Sequence, residues 1–478
     1  MLRPLALALA VFLAAGPLSH STAHAAEPLP DPAVLAQLRD AALQSNWAFS
    51  RLTDLTEGIG GRLSGSPQAE AAVAQVAAAL RAENLKVTLD PVMVPHWVRG
   101  EERAELTAYP GQVAGFSQHL VLTTLGGSSA TPPEGISAQV LVVTSLEDLQ
   151  RKAPDVPGKI VLFNVPFDVH LEENGLAGRA YGQAAEGRFV GPAAAQRLGA
   201  VAALVRSVTG AAYRLPHTGA TVTPKDQQAV PSAAITIEDA ELISRLAARG
   251  PVTVHLVLTP QTLPDVASAN VIAEIPGSDL KDEIVLVSGH LDSWDLAQGA
   301  LDDGAGVTAA MGAIQIIAKL HLKPRRTIRF VAWMNEENGS RGMQGYTQAH
   351  RAEFERHVAV IESDLGAGRP LGIEGYLTAA DAKRLGPVTQ SLRVIGAGIL
   401  TERLQPLGSD LGDLEDAGAP GFEPLVDART YFDYHHTAAD TLDKIDPENL
   451  RRQVAVLAVL TYYLADTPLA LERMASRP

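Results

Sequence analysis

The chain has 478 residues, a formal net charge of -15 at pH 7 and no cysteine. That length exceeds one ordinary core and predicts two domains. The acidic balance argues against non-specific nucleic-acid binding, which needs a basic surface. The missing thiols exclude disulfides, a thiolate zinc site and a cysteine nucleophile, so any metal must be held by His, Asp and Glu.

In chain order, residues 1–25 read as a signal peptide. Arg3 gives the positive region, Leu5 to Ala15 the apolar stretch, and Ala23-His24-Ala25 a small-x-small cleavage site, with cutting after Ala25. The apolar stretch is shorter than the ~20 residues a bilayer span needs. The expected location is outside the cytoplasm, periplasmic or secreted, where a cysteine-free chain is indifferent to redox state. Pro28 to Trp47 leads into a helix, and residues 52–67 form a Gly/Arg/Ser-rich loop. Pro67 opens an alanine-rich helix over 68–84, and 85–94 alternates like a strand.

A breaker cluster (Gly126, Gly127, Pro132, Pro133, Gly135) marks a change of texture. Short strand-like runs follow at 139–143, 159–163, 202–205 and 231–237, with a helix-like run at 192–198. Residues 125–264 are therefore expected to be an inserted, β-rich module with little chemistry of its own. From Asn270 strands alternate with helices: strand 284–287, helix 307–320, strands 327–333 and 358–361, and a closing helix 450–464. This predicts an α/β/α sandwich with a mixed, mostly parallel sheet, built from the discontinuous segments 26–124 and 265–478.

The chemistry-bearing residues gather at strand ends. His290 and Asp292 follow the first of these strands, Glu336 and Glu337 the second, and Asp364 the third. Ligands of open α/β sheets bind at such carboxyl ends. Asp302 and Asp303 are expected to open the next helix, with Gly304 and Gly306 allowing close backbone approach and Asp302 reaching two metals. One of His435 and His436 would return to the same rim. Two metals sharing a bridge need about five protein ligands. Asp302 would join His290 and Asp364 on one metal, and Glu337 and the late histidine on the other. An imidazole and carboxylate set suits Zn²⁺, with Co²⁺ or Mn²⁺ as substitutes. Glu336 is then left as the general base, and Asp292 is placed to orient the His290 ring.

Taken singly, each feature has a bland reading. Glu-Glu pairs usually face solvent, Asp-Asp-Gly is commonly a turn or cap, and Trp294 reads as packing. The combination carries the argument. Ser64 and Ser66 beside Arg62 lack a nucleophile-elbow pattern, and no glycine loop has phosphate-binding spacing.

The stretch Ser288 to Asp295, followed by Gly299 to Gly304, resembles the carboxypeptidase Q (plasma glutamate carboxypeptidase) family, within the clan of co-catalytic zinc aminopeptidases and exopeptidases. Trp333 to Glu337, Glu362 to Asp364 and His435-His436-x3-Asp440-Thr441 match in the same order, as do Pro95 to Glu102, Thr131 to Gly135 and Pro216 to Gly219. The resemblance covers nearly all of the mature chain. It implies an inserted protease-associated domain, two zinc ions, a homodimer and short peptide substrates, dipeptides foremost. It selects His436 over His435 as the ligand, leaving His435 and Trp294 to touch substrate or support the site. Asn335 and Asn338-Gly339-Ser340 depart mildly from the family pattern. The alternatives are an aminopeptidase acting on longer peptides, a non-catalytic secreted binding protein that keeps metal for stability, and an amide-cyclising enzyme with one zinc.

Overall fold

The computed structural model describes residues 29–475; the signal-peptide reading of 1–25 lies outside them. Three helices begin the same way, with a side-chain cap followed by proline. Asp31 caps Pro32–Leu43, Ser66 caps Pro67–Ala82 and Asp446 caps Pro447–Asp466. The cap accepts an orphan backbone N–H, and proline, which lacks one, is pre-set for the first turn.

The chain builds two eight-stranded sheets. In the first, the strands run in the order Lys86–Val98, Gln261–Ile275, Arg326–Trp333, Leu280–His290, His357–Glu362, Gly421–Val426, Pro370–Tyr376, Ile399–Glu402. The middle four are mutually parallel and their flanking neighbours antiparallel to them. Alternate residues of the central strands enter different cores. Val285, Val287, Ile328 and Phe330 pack under Ala305–Lys319 and Pro447–Asp466, whereas Leu286, Val331 and Trp333 pack with Tyr346, Phe354 and Leu414. Strands buried on both faces read as continuous apolar runs, which is why 284–287 and 327–333 stand out in the sequence.

The second sheet has the order Gln118–Leu120, Glu102–Ala108, Thr253–Leu258, Ile136–Val143, Ile160–Phe163, Ala202–Arg206, Ser232–Ile235, Leu122–Thr124. It takes strands from 102–124, so the breaker cluster at 126–135 lies inside this module and not at its edge. The turns there join a short edge strand to the next central strand. Four of its strands are parallel, and parallel neighbours need crossovers. The helix Gly191–Arg197 lies in the crossover from Ile160–Phe163 to Ala202–Arg206, and Ile237–Ala247, which leads to the antiparallel strand Thr253–Leu258, also packs on the sheet.

Asp302 and Asp303 do not open a helix. Their φ values, -124° and -117°, are non-helical, the peptide between them is cis, and the helix begins at Ala305. Asp303 does the capping, accepting from Gly306 N at 3.0 Å and from His290 N at 3.1 Å. Asp302 is thereby freed from the helix, and its carboxylate points elsewhere.

Candidate metal centre

The parallel strands end at one rim, and their last residues converge there. His290 ends Leu280–His290, Asp364 follows His357–Glu362, and Glu336 and Glu337 follow Arg326–Trp333. His290 Nε2 lies 3.2 Å from Asp302 Oδ1 and 3.2 Å from Asp364 Oδ1. His436 Nε2 lies 3.2 Å from Asp302 Oδ2 and 3.0 Å from Glu337 Oε2. The two oxygens of Asp302 thus face two separate ligand groups. His435 Nε2 also approaches Asp302 Oδ2, at 3.3 Å, and its ring stacks on His436 with centroids 3.6 Å apart. Only His436 has ion-pair contacts to both Asp302 and Glu337.

The ring tautomers follow from the outer partners. His290 Nδ1 is 3.0 Å from the main-chain oxygen of Asp292, and His436 Nδ1 is 3.2 Å from that of Thr218. A carbonyl can only accept, so both Nδ1 atoms carry protons and both Nε2 lone pairs face carboxylate oxygens. Lone pair against lone pair at about 3 Å is repulsive unless a cation, or a proton on each ring, lies between them. Asp302 Oδ2 is buried with no hydrogen-bond partner. These donors therefore fit divalent cations.

The Asp292 side chain works differently from expectation. Its Oδ1 is 3.9 Å from His290 Nδ1 but accepts from the main-chain N–H of Asn335 at 2.7 Å and of Glu336 at 3.0 Å. It orients His290 through its main chain and fixes the turn carrying Glu336 through its carboxylate. Asn335 sits in that turn at φ 73°, and His436 is at φ 63°. Two non-glycine residues in the left-handed region flank the site, as held functional turns do.

Arg62 and Asp440 carried no readable role in the sequence. Arg62, fully buried, donates to the main-chain oxygens of Leu291, Gln298 and Gly299 at 2.9, 2.6 and 2.9 Å. It ties together the loop between His290 and Asp302. Asp440 accepts from Leu301 N at 2.6 Å and Asp302 N at 3.2 Å. Ser64 accepts from Asn335 Nδ2 at 2.6 Å and donates to Asn338 at 2.9 Å, which places it as a brace. Ser66 caps a helix. Gly306 allows its helix to pass the strand ends, since a Cβ there would lie 1.9 Å from Ser363 O. Trp294 packs with Leu63 and Trp97, its N–H donates to Glu337 Oε1 from the main chain at 3.2 Å, and its ring is edge-on to His436 at 5.8 Å.

The electrostatics are those of crowded acids. Burial pushes Glu336 up to about 8; His290 opposes, and the charges of Asp364, Glu337 and Asp292 add to it. Burial and Asp302 push Glu337 up to about 7. Burial opposes protonation of His290 and His436, but Asp364 and Asp302 for the first, and Glu337 and Asp302 for the second, raise both well above the usual histidine range. Ser409 reaches Glu336 Oε1 at 3.3 Å. The site opens into a cavity of about 630 Å³, which Tyr181, Arg188, Phe189 and Val222 of the module help to line.

Residues 270–461 match the model of peptidase family M28. The chain is 39% identical to carboxypeptidase Q of Bos taurus over 435 residues, covering 90% of this chain and 87% of that protein. The chain belongs to peptidase family M28. Carboxypeptidase Q of Homo sapiens is 38% identical over 440 residues, again covering 90% of this chain and 87% of that one. The crystal structure of a peptidase M28 precursor from Shewanella amazonensis SB2B superposes with a TM-score of 0.87 at 36% identity, covering 93% of this chain and 99% of that chain. An aminopeptidase from Aneurinibacillus sp. strain AM-1 shares the fold, with a TM-score of 0.62 at 21% identity over 94% of this chain and 98% of its own. This M28 chain is a metallo-exopeptidase with peptides as substrates. No helix among its described residues is long and apolar enough to cross a membrane.

Proposed function

We propose that this M28 peptidase is an exported, homodimeric two-zinc enzyme that cleaves dipeptides and other short peptides, with Glu336 as general base. The observation that carries the reading is Asp302, whose two oxygens face His290 and His436 separately. His290, Asp302 and Asp364 would hold one ion, and Asp302, Glu337 and His436 the other. The similarity to carboxypeptidase Q supports an exopeptidase, the family resemblance of the sequence implies the dimer, and the pattern of residues 1–25 supports export.

Bound there, zinc supplies Lewis acidity that polarises the scissile carbonyl and acidifies the attacking water. Glu336 is held next to the ligand set by Asp292, through its own N–H, and by Ser409. Its carboxylate takes the proton of the attacking water and delivers it to the leaving amine. Burial and the neighbouring acids make it a good proton holder.

Glu336→Gln keeps shape and hydrogen bonding but cannot accept the proton. Metal content should stay at the wild-type value while kcat falls by about 10²–10⁴-fold on dipeptides. Near wild-type turnover in this variant would remove Glu336 from the role.

A further inference from the structure

Resting on the short-peptide reading above, we propose that Arg188, carried into the cavity by the second-sheet module, holds the free C-terminal carboxylate of the substrate and so favours unblocked peptides over their C-terminal amides. Arg188 lies near the end of the helix Ala177–Phe189. Among the described residues it is the single Lys or Arg lining a cavity that also presents Asp302, Glu336, Glu337 and Asp364. Its guanidinium is the one Lys or Arg charge that a carboxylate entering that cavity meets.

The guanidinium has donors to spare. It carries five N–H groups, yet its protein partners are Tyr181 Oη at 2.6 Å and Thr218 O at 3.3 Å, and Nε has none. Its exposure is 2%. A buried cation with unused donors is costly unless an anion completes it. The group is also held still. It lies over the rings of Phe189 at 4.6 Å and Tyr181 at 5.3 Å. Gly219 lets it press onto the backbone, since a Cβ there would come within 2.5 Å of its Cζ. Rigid, partly dry guanidinium forks bind carboxylates best. Tyr181 Oη accepts from Arg188 and keeps its own proton free to donate to the same ligand.

The Thr218 oxygen accepts from both Arg188 Nη1 and His436 Nδ1, so guanidinium and metal-facing imidazole are held by one atom at the wall of the cavity that both line.

The test compares an unblocked dipeptide with its C-terminal amide on wild-type enzyme and on Arg188→Gln, with zinc content and melting temperature measured alongside. A charged hydrogen-bond pair lost from binding predicts a fall in kcat/KM on the order of 10²-fold for the free acid, mostly through KM, and little change for the amide. An equal fall on both substrates, or loss of zinc from the variant, would show that Arg188 serves only to hold Thr218 and His436, and would overturn the proposal. Wild-type enzyme gives a check that needs no variant: a free amino acid should inhibit competitively and its amide should not, and equal inhibition overturns the proposal as well. Cleavage of aminoacyl anilides without any cleavage of free dipeptides would instead sink the short-peptide reading, and the carboxylate site with it.

Discussion

At the scale of single residues, the adjacent histidines separate by their partners. His436 makes ion-pair contacts to both Asp302 and Glu337 and has its outer nitrogen fixed by Thr218 O, whereas His435 reaches Asp302 alone and stacks against its neighbour. Burial and the neighbouring His436 hold His435 well below the usual histidine range. His436→Ala should therefore lower tightly bound zinc from two equivalents per chain toward one, and His435→Ala should leave it near two, as read by elemental analysis after dialysis. Loss of metal from the His435 variant alone would exchange the two roles. A removed ligand of this kind costs far more than the 10–100-fold usual for an outer partner.

The convergence of His290, Glu336, Glu337 and Asp364 at strand ends is legible in the sequence because buried parallel strands are apolar and a charged residue directly after one is conspicuous. The outer layer was not. Thr218 and Asp292 act on the two histidines through main-chain oxygens, which leave no mark in residue identity. Arg62 lies 228 positions from His290 in the chain, and nothing local marks its task. Asp302 was read as a helix opener because Asp-Asp-Gly before an apolar helix usually is one; here Asp303 takes the cap.

At the scale of elements, the far face of the main sheet carries a second polar cluster. Arg329 bonds Glu274, Glu353 and Tyr346, and Tyr346 stacks on His350, whose Nε2 lies 2.5 Å from Asp90 Oδ2. This cluster pins the helix Arg341–His350 to the edge strand Lys86–Val98. The hydrogen bond to Asp90 raises His350 above its ordinary value, with burial and Arg329 opposing and Glu353 assisting. A histidine whose pKa rises on folding adds stability that is fully present below its unfolded value of about 6.5 and is lost as pH rises through the folded value. His350→Gln should thus be less stable than wild type by about 1 kcal/mol near pH 6. The gap should narrow as the pH rises through the folded value. Denaturant midpoints at several pH values measure it, and a gap that widens with pH would contradict the assigned pairing.

At the scale of the whole molecule, the second-sheet module lines the candidate site and is not an appendage. Arg99, just ahead of the first module strand, binds Asp295 at 2.7 and 3.0 Å and Thr124 O at 2.5 Å, so it ties the loop after His290 to the module. Thr218 N donates to His436 O at 2.9 Å, and Thr218 O receives the His436 ring. The module's own sequence is sparse in histidines and paired acids, which hid this role. It contributes main-chain groups, an arginine and aromatic walls, whose function exists only across the junction.

The account stands on Asp302 spanning two cations, and zinc titration of metal-free protein addresses that most directly. Two equivalents of high affinity per chain are expected for the wild type, with both weakened together in Asp302→Ala, because one carboxylate serves each ion. A single equivalent in the wild type, or an Asp302→Ala protein that still binds two with unchanged affinity, would contradict it.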